Sequence, residues 1–216
     1  MKQGLTQSQI ALIRNTDHVL HALLTRLGPF PDLRASNTAN SHFHALARNI
    51  IYQQLAGKAA ATIHNRFRAL TPGKRFPTAP QVHAMRNTAF RKAGISAGKQ
   101  KALKALAGAV VNETLPLRSL YRLEDQQIIN ELTLIHGIGE WTAQMFLMFR
   151  LGRLDVMPAT DLGVQEGMRI LDQMDRRPTP SELRDRARIW KPFRSVATWC
   201  LYRVVDEQRA KRASNK

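Results

Sequence analysis

The sequence predicts an all-α protein. Apolar residues recur at three- and four-residue spacing through most of the 216-residue chain. No stretch sustains a period-two alternation of apolar and polar residues, so no sheet is expected. Glycines, prolines and capping residues interrupt the periodic segments at helix-like lengths. The length allows one large domain or two small ones with a sizeable core, and no internal repeat of fixed period is present.

Leu12, Ile13, Val19, Leu20, Leu23, Leu24 and Leu27 mark one amphipathic helix, closed by Gly28 and Pro29. Phe43, Leu46, Ala47, Ile50 and Ile51 line a second helix from about Ser41. Gly57 breaks or turns it, and Ala60, Ala61, His64, Phe67 and Leu70 line a third. Residues 71–80 read as a loop with Pro72, Gly73, Pro77 and Pro80. Short helices are expected near 80–86 and 88–93, the latter stopped by Gly94, and a longer one near 96–112. Helices over 125–133 and 141–151 flank a tight turn, and 154–160 is an extended connector around Pro158. Thr179-Pro180-Ser181-Glu182 is a capping box with proline at the first helical position. A last helix is expected over 192–209, followed by a frayed basic tail over 210–216.

Lys and Arg number 33 against 16 Asp and Glu, a net charge of +17 with a pI near 11.2. That excess suits a polyanion, nucleic acid before a membrane surface. The single cysteine, Cys200, excludes an internal disulfide, an iron–sulfur cluster and a cysteine-built zinc site. It lies in an apolar helix and reads as a buried thiol. The seven histidines lack paired metal-binding spacing such as H-E-x-x-H, so no zinc site is expected. No apolar run approaches a membrane span, and Met1-Lys2-Gln3-Gly4-Leu5 lacks a hydrophobic signal core. The expectation is a soluble intracellular protein.

The run from Leu132 through Ile135-His136-Gly137-Ile138-Gly139-Glu140-Trp141-Thr142 to Ala143 reads as helix, hairpin, helix. Glycines at 137 and 139 permit positive backbone dihedrals and close approach of another molecule. Ile138 anchors the turn. The following helix start presents N–H groups and its positive dipole end, and Thr142 adds a hydroxyl. Such an element holds a phosphate without reading sequence; the bland reading is a plain helix–helix turn. Asp161 follows twenty residues after Trp141. It can cap the helix beginning at Leu162, act as a catalytic carboxylate, or do both. Asp155 reads as fixing the connector, and Glu166 as a solvated side chain.

Three blocks in order resemble the helix-hairpin-helix DNA glycosylases, specifically the 3-methyladenine DNA glycosylase II branch. They are Ala47-Arg48-Asn49-Ile50-Ile51-Tyr52-Gln53-Gln54-Leu55-Ala56; Gly137 to Ala143 with Asp155-Val156-Met157-Pro158 and Asp161-Leu162-Gly163-Val164; and Trp190-Lys191-Pro192-Phe193-Arg194-Ser195-Val196-Ala197. Together they cover about residues 40–205. The resemblance implies two helical subdomains with the active-site cleft between them, over 1–216. Subdomain A would span about 40–155 as a helical barrel with the hairpin at 132–143. Subdomain B would combine 1–39 with 156–216. The chain resembles the compact form, without the N-terminal β domain of larger members.

By the same resemblance, Asp161 is the catalytic aspartate of an enzyme hydrolysing the N-glycosidic bond of alkylated purines, of the 3-methyladenine and 7-methylguanine type. Bifunctional relatives place a lysine where this chain has Trp141, so a monofunctional enzyme of base excision repair that leaves an abasic site is implied. Trp141, Tyr202 and Trp199 would line the base pocket, the two tryptophans alternatively being core. Gln53, Gln54 and Leu55 match the segment that fills the gap left by a flipped base. Gly137, Gly139 and Thr142 would contact DNA phosphate, with Lys58, Lys99 and Arg194 as phosphate neighbours or merely solvated cations. Backbone carbonyls of Thr133, Ile135 and Gly137 would hold a sodium or potassium ion. His136 departs from the proline often found there, which bears on hairpin rigidity. No cofactor is required and no iron–sulfur cluster is expected. The partner would be double-stranded DNA carrying alkylated bases, bound by a monomer in the cytoplasm or nucleoid, or in a nucleus if eukaryotic. Two other readings remain open: a non-catalytic damaged-DNA-binding protein, and a glycosylase for deaminated or mismatched bases.

Overall fold

A computed structural model describes residues 4–36, 39, 41–55, 57–73 and 75–214. Met1 to Gln3 of the N-terminal segment and Ala56 of the first block lie outside the described residues. Among those described there is no β-strand. The helices are α1 (Gln7–Thr16), α2 (His18–Leu27), α3 (His42–Tyr52), α4 (Gly57–Arg68), α5 (Ala79–Ala84), α6 (Asn87–Ala93), α7 (Ala97–Val111), α8 (Asp125–Thr133), α9 (Glu140–Phe146), α10 (Leu162–Leu171), α11 (Pro180–Arg186) and α12 (Arg194–Ser214). Short 3-10 turns stand at Leu33–Ser36, Leu120–Arg122 and Ala187–Trp190. No helix among the described residues is long and apolar enough to cross a membrane.

The chain divides into two compact units. Asn37–Leu151 forms one, here the hairpin unit; Met1–Ser36 with Gly152–Lys216 forms the other, the aspartate unit. Both boundaries fall a few residues before the expected positions at 40 and 155.

In the hairpin unit α3 is the central helix, packed by α4, α7 and α9. Leu46, Ala47, Ile50 and Ile51 repeat at helical spacing and are fully buried, against Phe67, Phe90, Leu103, Leu106 and Phe146. Burial of each large side chain contributes about 1.5–3 kcal/mol. A polar pair interrupts this core: His44 and His64 approach Nε2 to Nε2 at 2.9 Å, and Phe76 stacks on His44 with ring centroids 4.1 Å apart. Burial, with the nearby positive charges of Arg48, Arg68 and Arg150 and the His64 ring, pulls His44 down to about 4. Burial lowers His64 as well.

In the aspartate unit α10 crosses α12 at close range. A Cβ on Gly167 would lie 2.5 Å from the Leu201 carbonyl oxygen, so only glycine permits this approach. Val164 and Met168 flank it on α10, and Val196, Ala197, Cys200, Leu201 and Val204 complete the seam from α12. Cys200 is buried as expected, and burial pushes its thiol up to about 12.

Three expectations are corrected. The first amphipathic segment is two helices, because Asp17 leaves helical geometry and caps α2, accepting from the Val19 and Leu20 amides at 2.8 and 3.0 Å. Trp190 Nε1 at 2.7 Å and Arg186 hold the other carboxylate oxygen in place. The helix leaving the hairpin is α-helical only to Phe146 and continues as a π-helix over Leu147–Leu151. There Arg150 donates to the Ala39 carbonyl and to His42 Nδ1. The last helix starts at Arg194 and runs to Ser214, so most of the supposed tail is helical. Lys211 and Arg212 sit in its last turn, where cations complement the carbonyl end of the dipole. Asn215 and Lys216 lie outside the described residues.

Candidate active site

The hairpin is locked from inside. After α8, the Ile135 amide donates to the Leu132 carbonyl at 3.2 Å and the Ile138 amide to the Ile135 carbonyl at 3.0 Å. Ile138 is buried, as its position predicts. The two glycines differ. Gly137 has φ +83°, and a side chain there would overlap Ala102 of α7. Gly139 has φ −95°, and an added Cβ would meet nothing within 4 Å. Positive φ is therefore needed at Gly137 alone, while Gly139 presents bare, open backbone and starts α9 by accepting from the Ala143 amide.

Thr142 and Gln53 do not stand as the sequence suggested. Thr142 is only 1% exposed, and its Oγ1 accepts from Gln53 Nε2 at 2.8 Å. The same Gln53 amide donates to the Gly137 carbonyl at 3.0 Å. Both side chains thus brace the hairpin from within the protein. Gln54 and Leu55 are exposed, and Gln54 has φ +55° at the turn between α3 and α4. Lys99 is no mere solvated cation. Its Nζ donates to the Ile51 and Gln53 carbonyls at 2.7 and 2.8 Å, satisfying the otherwise unpaired end of α3, and burial lowers its pKa. Lys58 is exposed at the start of α4. Trp141 is half-buried in the first turn of α9.

Asp161 is the N-cap of α10. Its Oδ1 accepts from the Gly163 amide at 2.7 Å and the Val164 amide at 3.0 Å. Two donors and the helix dipole stabilise its negative charge. Gly163 makes room for this arrangement: a Cβ there would lie 3.0 Å from Asp161 Oδ1 and 3.1 Å from the Tyr202 ring. Tyr202 is half-buried, its ring and Asp161 Oδ1 both bordering Gly163. Burial, then the Asp161 charge, holds the phenol protonated well above the ordinary tyrosine range. Trp199 is half-buried and meets Phe30 edge-on at 5.7 Å. Leu162 beside Asp161 is 64% exposed.

The connector into Asp161 is fixed from α12. Arg194 grips Asp155 with Nε at 2.6 Å and Nη2 at 2.9 Å, as the reading of Asp155 anticipates. Arg194 is thereby engaged within the protein. The Ser195 hydroxyl donates to the Arg153 carbonyl and accepts from the Val156 amide, and Gln165 Nε2 donates to the Ala159 carbonyl. Glu166 is not simply solvated. Hydrogen bonds from Arg169 and then Arg177 hold it down at about 2.

Sequence reasoning missed Gly163, Ala102 and Gln53 as parts of these arrangements. Glycine in the first turn of a helix, a poor helix former placed two residues after a candidate carboxylate, was the available signal for Gly163. Ala102 and Gln53 act through tertiary contacts that leave no local mark. Among the described residues no group of His, Cys, Asp or Glu is placed to bind a metal.

Residues 47–192 match a family described as HhH-GPD superfamily base excision DNA repair protein. Over 163 residues the chain is 38% identical to DNA-3-methyladenine glycosylase 1 of Schizosaccharomyces pombe, covering 75% of this chain and 72% of that protein. A solved structure of a Schizosaccharomyces pombe 3-methyladenine DNA glycosylase in complex with abasic DNA aligns with a TM-score of 0.83 and 33% identity, over 91% of this chain and 95% of that one. A DNA-3-methyladenine glycosidase from Bacillus halodurans aligns with a TM-score of 0.79 and 30% identity, over 94% and 91% of the two chains.

Proposed function

Because this chain belongs to the HhH-GPD superfamily of base excision DNA repair proteins, we propose that it is a monofunctional DNA glycosylase acting on alkylated purines in double-stranded DNA. The observation that carries this reading is Asp161, a carboxylate seated on the first turn of α10 by two backbone amides in a chain that also holds the Gly137–Gly139 hairpin. The relatives named for 3-methyladenine support the alkylpurine class.

The reaction follows from the residue types. The damaged nucleotide leaves the duplex so that C1′ becomes reachable. The ionised Asp161 stabilises the positive charge that grows on the sugar as the base departs, and it orients the attacking water. A 3-methyladenine or 7-methylguanine nucleoside is already cationic, so its base leaves without a general acid. One carboxylate then suffices, in contrast to the paired carboxylates of most sugar hydrolases. Trp141 offers no amine for a Schiff base, so the product is an abasic site with the strand intact. The open backbone at Gly139 receives a phosphate, and Gln54 or Leu55 fills the space vacated by the base.

The carbonyls of Thr133, Ile135 and Gly137 would hold the sodium or potassium ion that the family implies. Gly137 and Ile135 each already accept one hydrogen bond and keep a second lone pair, and neutral oxygens are the right donors for such an ion. Its charge would offset part of the phosphate's. Hydrolysis itself needs no redox cofactor. We expect a monomer working where the DNA is, in a nucleoid or a nucleus.

The test is release of 3-methyladenine and 7-methylguanine from methylated duplex DNA. The wild type is expected to release both, and Asp161→Asn to bind DNA but release neither. Tight binding without release by the wild type would make the chain a damage-binding protein. Release confined to deaminated or mismatched bases would move it to another substrate class.

A further inference from the structure

Three contacts in the hairpin unit close a triangle around the turn that follows α3. The first is made by Gln53, the C-cap of α3. Its side-chain nitrogen carries two protons and meets two acceptors, the Gly137 carbonyl at 3.0 Å and Thr142 Oγ1 at 2.8 Å. The second is made by Lys99, whose Nζ donates to the Ile51 and Gln53 carbonyls. The third is made by Ala102, against which Gly137 packs so closely that no side chain fits between them. Lys99 and Ala102 lie three residues apart on α7, hence on one face of that helix. Gln53 is thus held to α7 by its backbone and to the hairpin by its side chain, while the hairpin itself rests on α7. The next two residues, Gln54 and Leu55, are exposed, with Gln54 at φ +55°. A turn secured in this way carries those two side chains at a set distance from the open backbone of Gly139.

We propose that Gln53 and Lys99 are positioning residues that join the wedge turn to the hairpin, so that the two grip DNA as one body. Gln53 does not enter the duplex. It fixes the spacing between the phosphate received at Gly139 and the gap filled by Gln54 or Leu55. Gripping the backbone then brings the wedge to the base that must leave, and filling the gap holds the backbone in the hairpin. The two contacts reinforce each other because neither can shift alone. This inference rests on the proposed roles of Gly139 as phosphate site and of Gln54 or Leu55 as wedge; the triangle of contacts does not.

The experiment measures dissociation constants of the full chain for two probes, an undamaged duplex and the same duplex with one tetrahydrofuran abasic site. Their ratio reports gap filling, because the phosphates are common to both. Gln54→Gly with Leu55→Ala removes the wedge without straining the positive φ, and Gly139→Ala disturbs the grip. Each is expected to weaken binding to the abasic duplex. With Gln53 in place, the combined loss should fall about 10-fold short of the product of the separate losses, the mark of coupled contacts. Gln53→Met keeps the length of the side chain and loses both donors. In that background the losses should multiply to within about 2-fold, and the preference for the abasic duplex should drop about 10-fold. Lys99→Met should do the same, and Lys99→Arg, still a donor, should restore the coupling; this pair decides the matter should Gln53→Met fail to fold. A glutamine that merely stabilised the fold would lower the urea midpoint and leave the coupling intact. Coupling unchanged in either methionine variant overturns the proposal alone. A wedge variant with full abasic preference, or Gly139→Ala with wild-type affinity, overturns the reading of the wedge or of the grip, and this inference with it.

Discussion

The two units handle charge in opposite ways. The hairpin unit holds fifteen Lys and Arg against five Asp and Glu, and from Leu33 to Asn112 there is no acidic residue at all. The aspartate unit holds eighteen against eleven and ties many of them together. Arg194 grips Asp155, Arg26 meets Glu207, Arg169 and Arg177 share Glu166, and Arg186 bridges Asp17 and Asp172. Lys99 apart, which holds the end of α3, positive charge with no acid in the same stretch of chain is left to face a polyanion. Positive charge paired with carboxylates is directed inward, at holding connectors and helix ends. The hairpin unit is thus equipped to hold a DNA backbone and the aspartate unit to hold one carboxylate still.

The hairpin glycines offer the largest test of that division. Gly137→Ala combines a positive φ with overlap on Ala102 and should destabilise the protein by about 2–4 kcal/mol, read from the urea midpoint. Gly139→Ala meets open space and an ordinary φ. Its stability should stay within about 0.5 kcal/mol, while affinity for an undamaged duplex falls. Equal losses of stability in the two variants would erase the distinction between a folding glycine and a ligand-facing one.

Acid should separate the units by pH window. His44 is held at about 4, below its ordinary 6.5, so the unfolded chain binds more protons than the folded one. Stability from this pair is full above pH 6.5 and is lost as pH falls toward 4, amounting to about 3 kcal/mol. Glu166 is also depressed, to about 2 from 4.5, so its contribution persists above pH 4.5 and is lost below it. Calorimetry from pH 7 to 2 should show the first loss disappear when His44 and His64 are both replaced by Phe, with the second unchanged. A double variant that keeps the upper window would assign that window elsewhere.

Asp155→Asn should cost about 1–3 kcal/mol, because a half-buried bidentate partner of Arg194 is lost, and should slow base release by loosening the connector into Asp161. Effects of surface charge should be smallest. Neutralising the exposed Arg91, Lys92 and Lys101 together should flatten the salt dependence of DNA binding by up to about one unit of slope per lost phosphate contact. The matched change of Arg176, Arg184 and Arg188 in the aspartate unit should leave the slope alone. Equal flattening by both triples would dissolve the comparison.

Helix positions were legible wherever apolar spacing and caps agreed. The segment 125–133 and the Thr179 capping box stand as read, and Cys200 is buried. The break at Asp17 was not legible, because an aspartate on the polar side of an amphipathic run looks solvated. Its true partners, Trp190 and Arg186, lie far along the chain. Asp161 and the hairpin stood out because their residue types carry chemistry. The bracing of Gly137 by Gln53 and Ala102, and the meeting of Asp161 and the Tyr202 ring at Gly163, depend on helix crossings that no local pattern encodes.

The central claim is that Asp161 performs the chemistry while the hairpin backbone holds the DNA. The most direct measurement follows one methylated duplex with wild type, Asp161→Asn and Gly139→Ala, scoring binding and 7-methylguanine release in parallel. Asp161→Asn should bind like wild type and release base at least about 100-fold more slowly, the order expected for losing a charge that stabilises the transition state. Gly139→Ala should bind more weakly yet approach the wild-type rate at saturation. Wild-type release by Asp161→Asn, or a saturated rate lost in Gly139→Ala, would contradict the account.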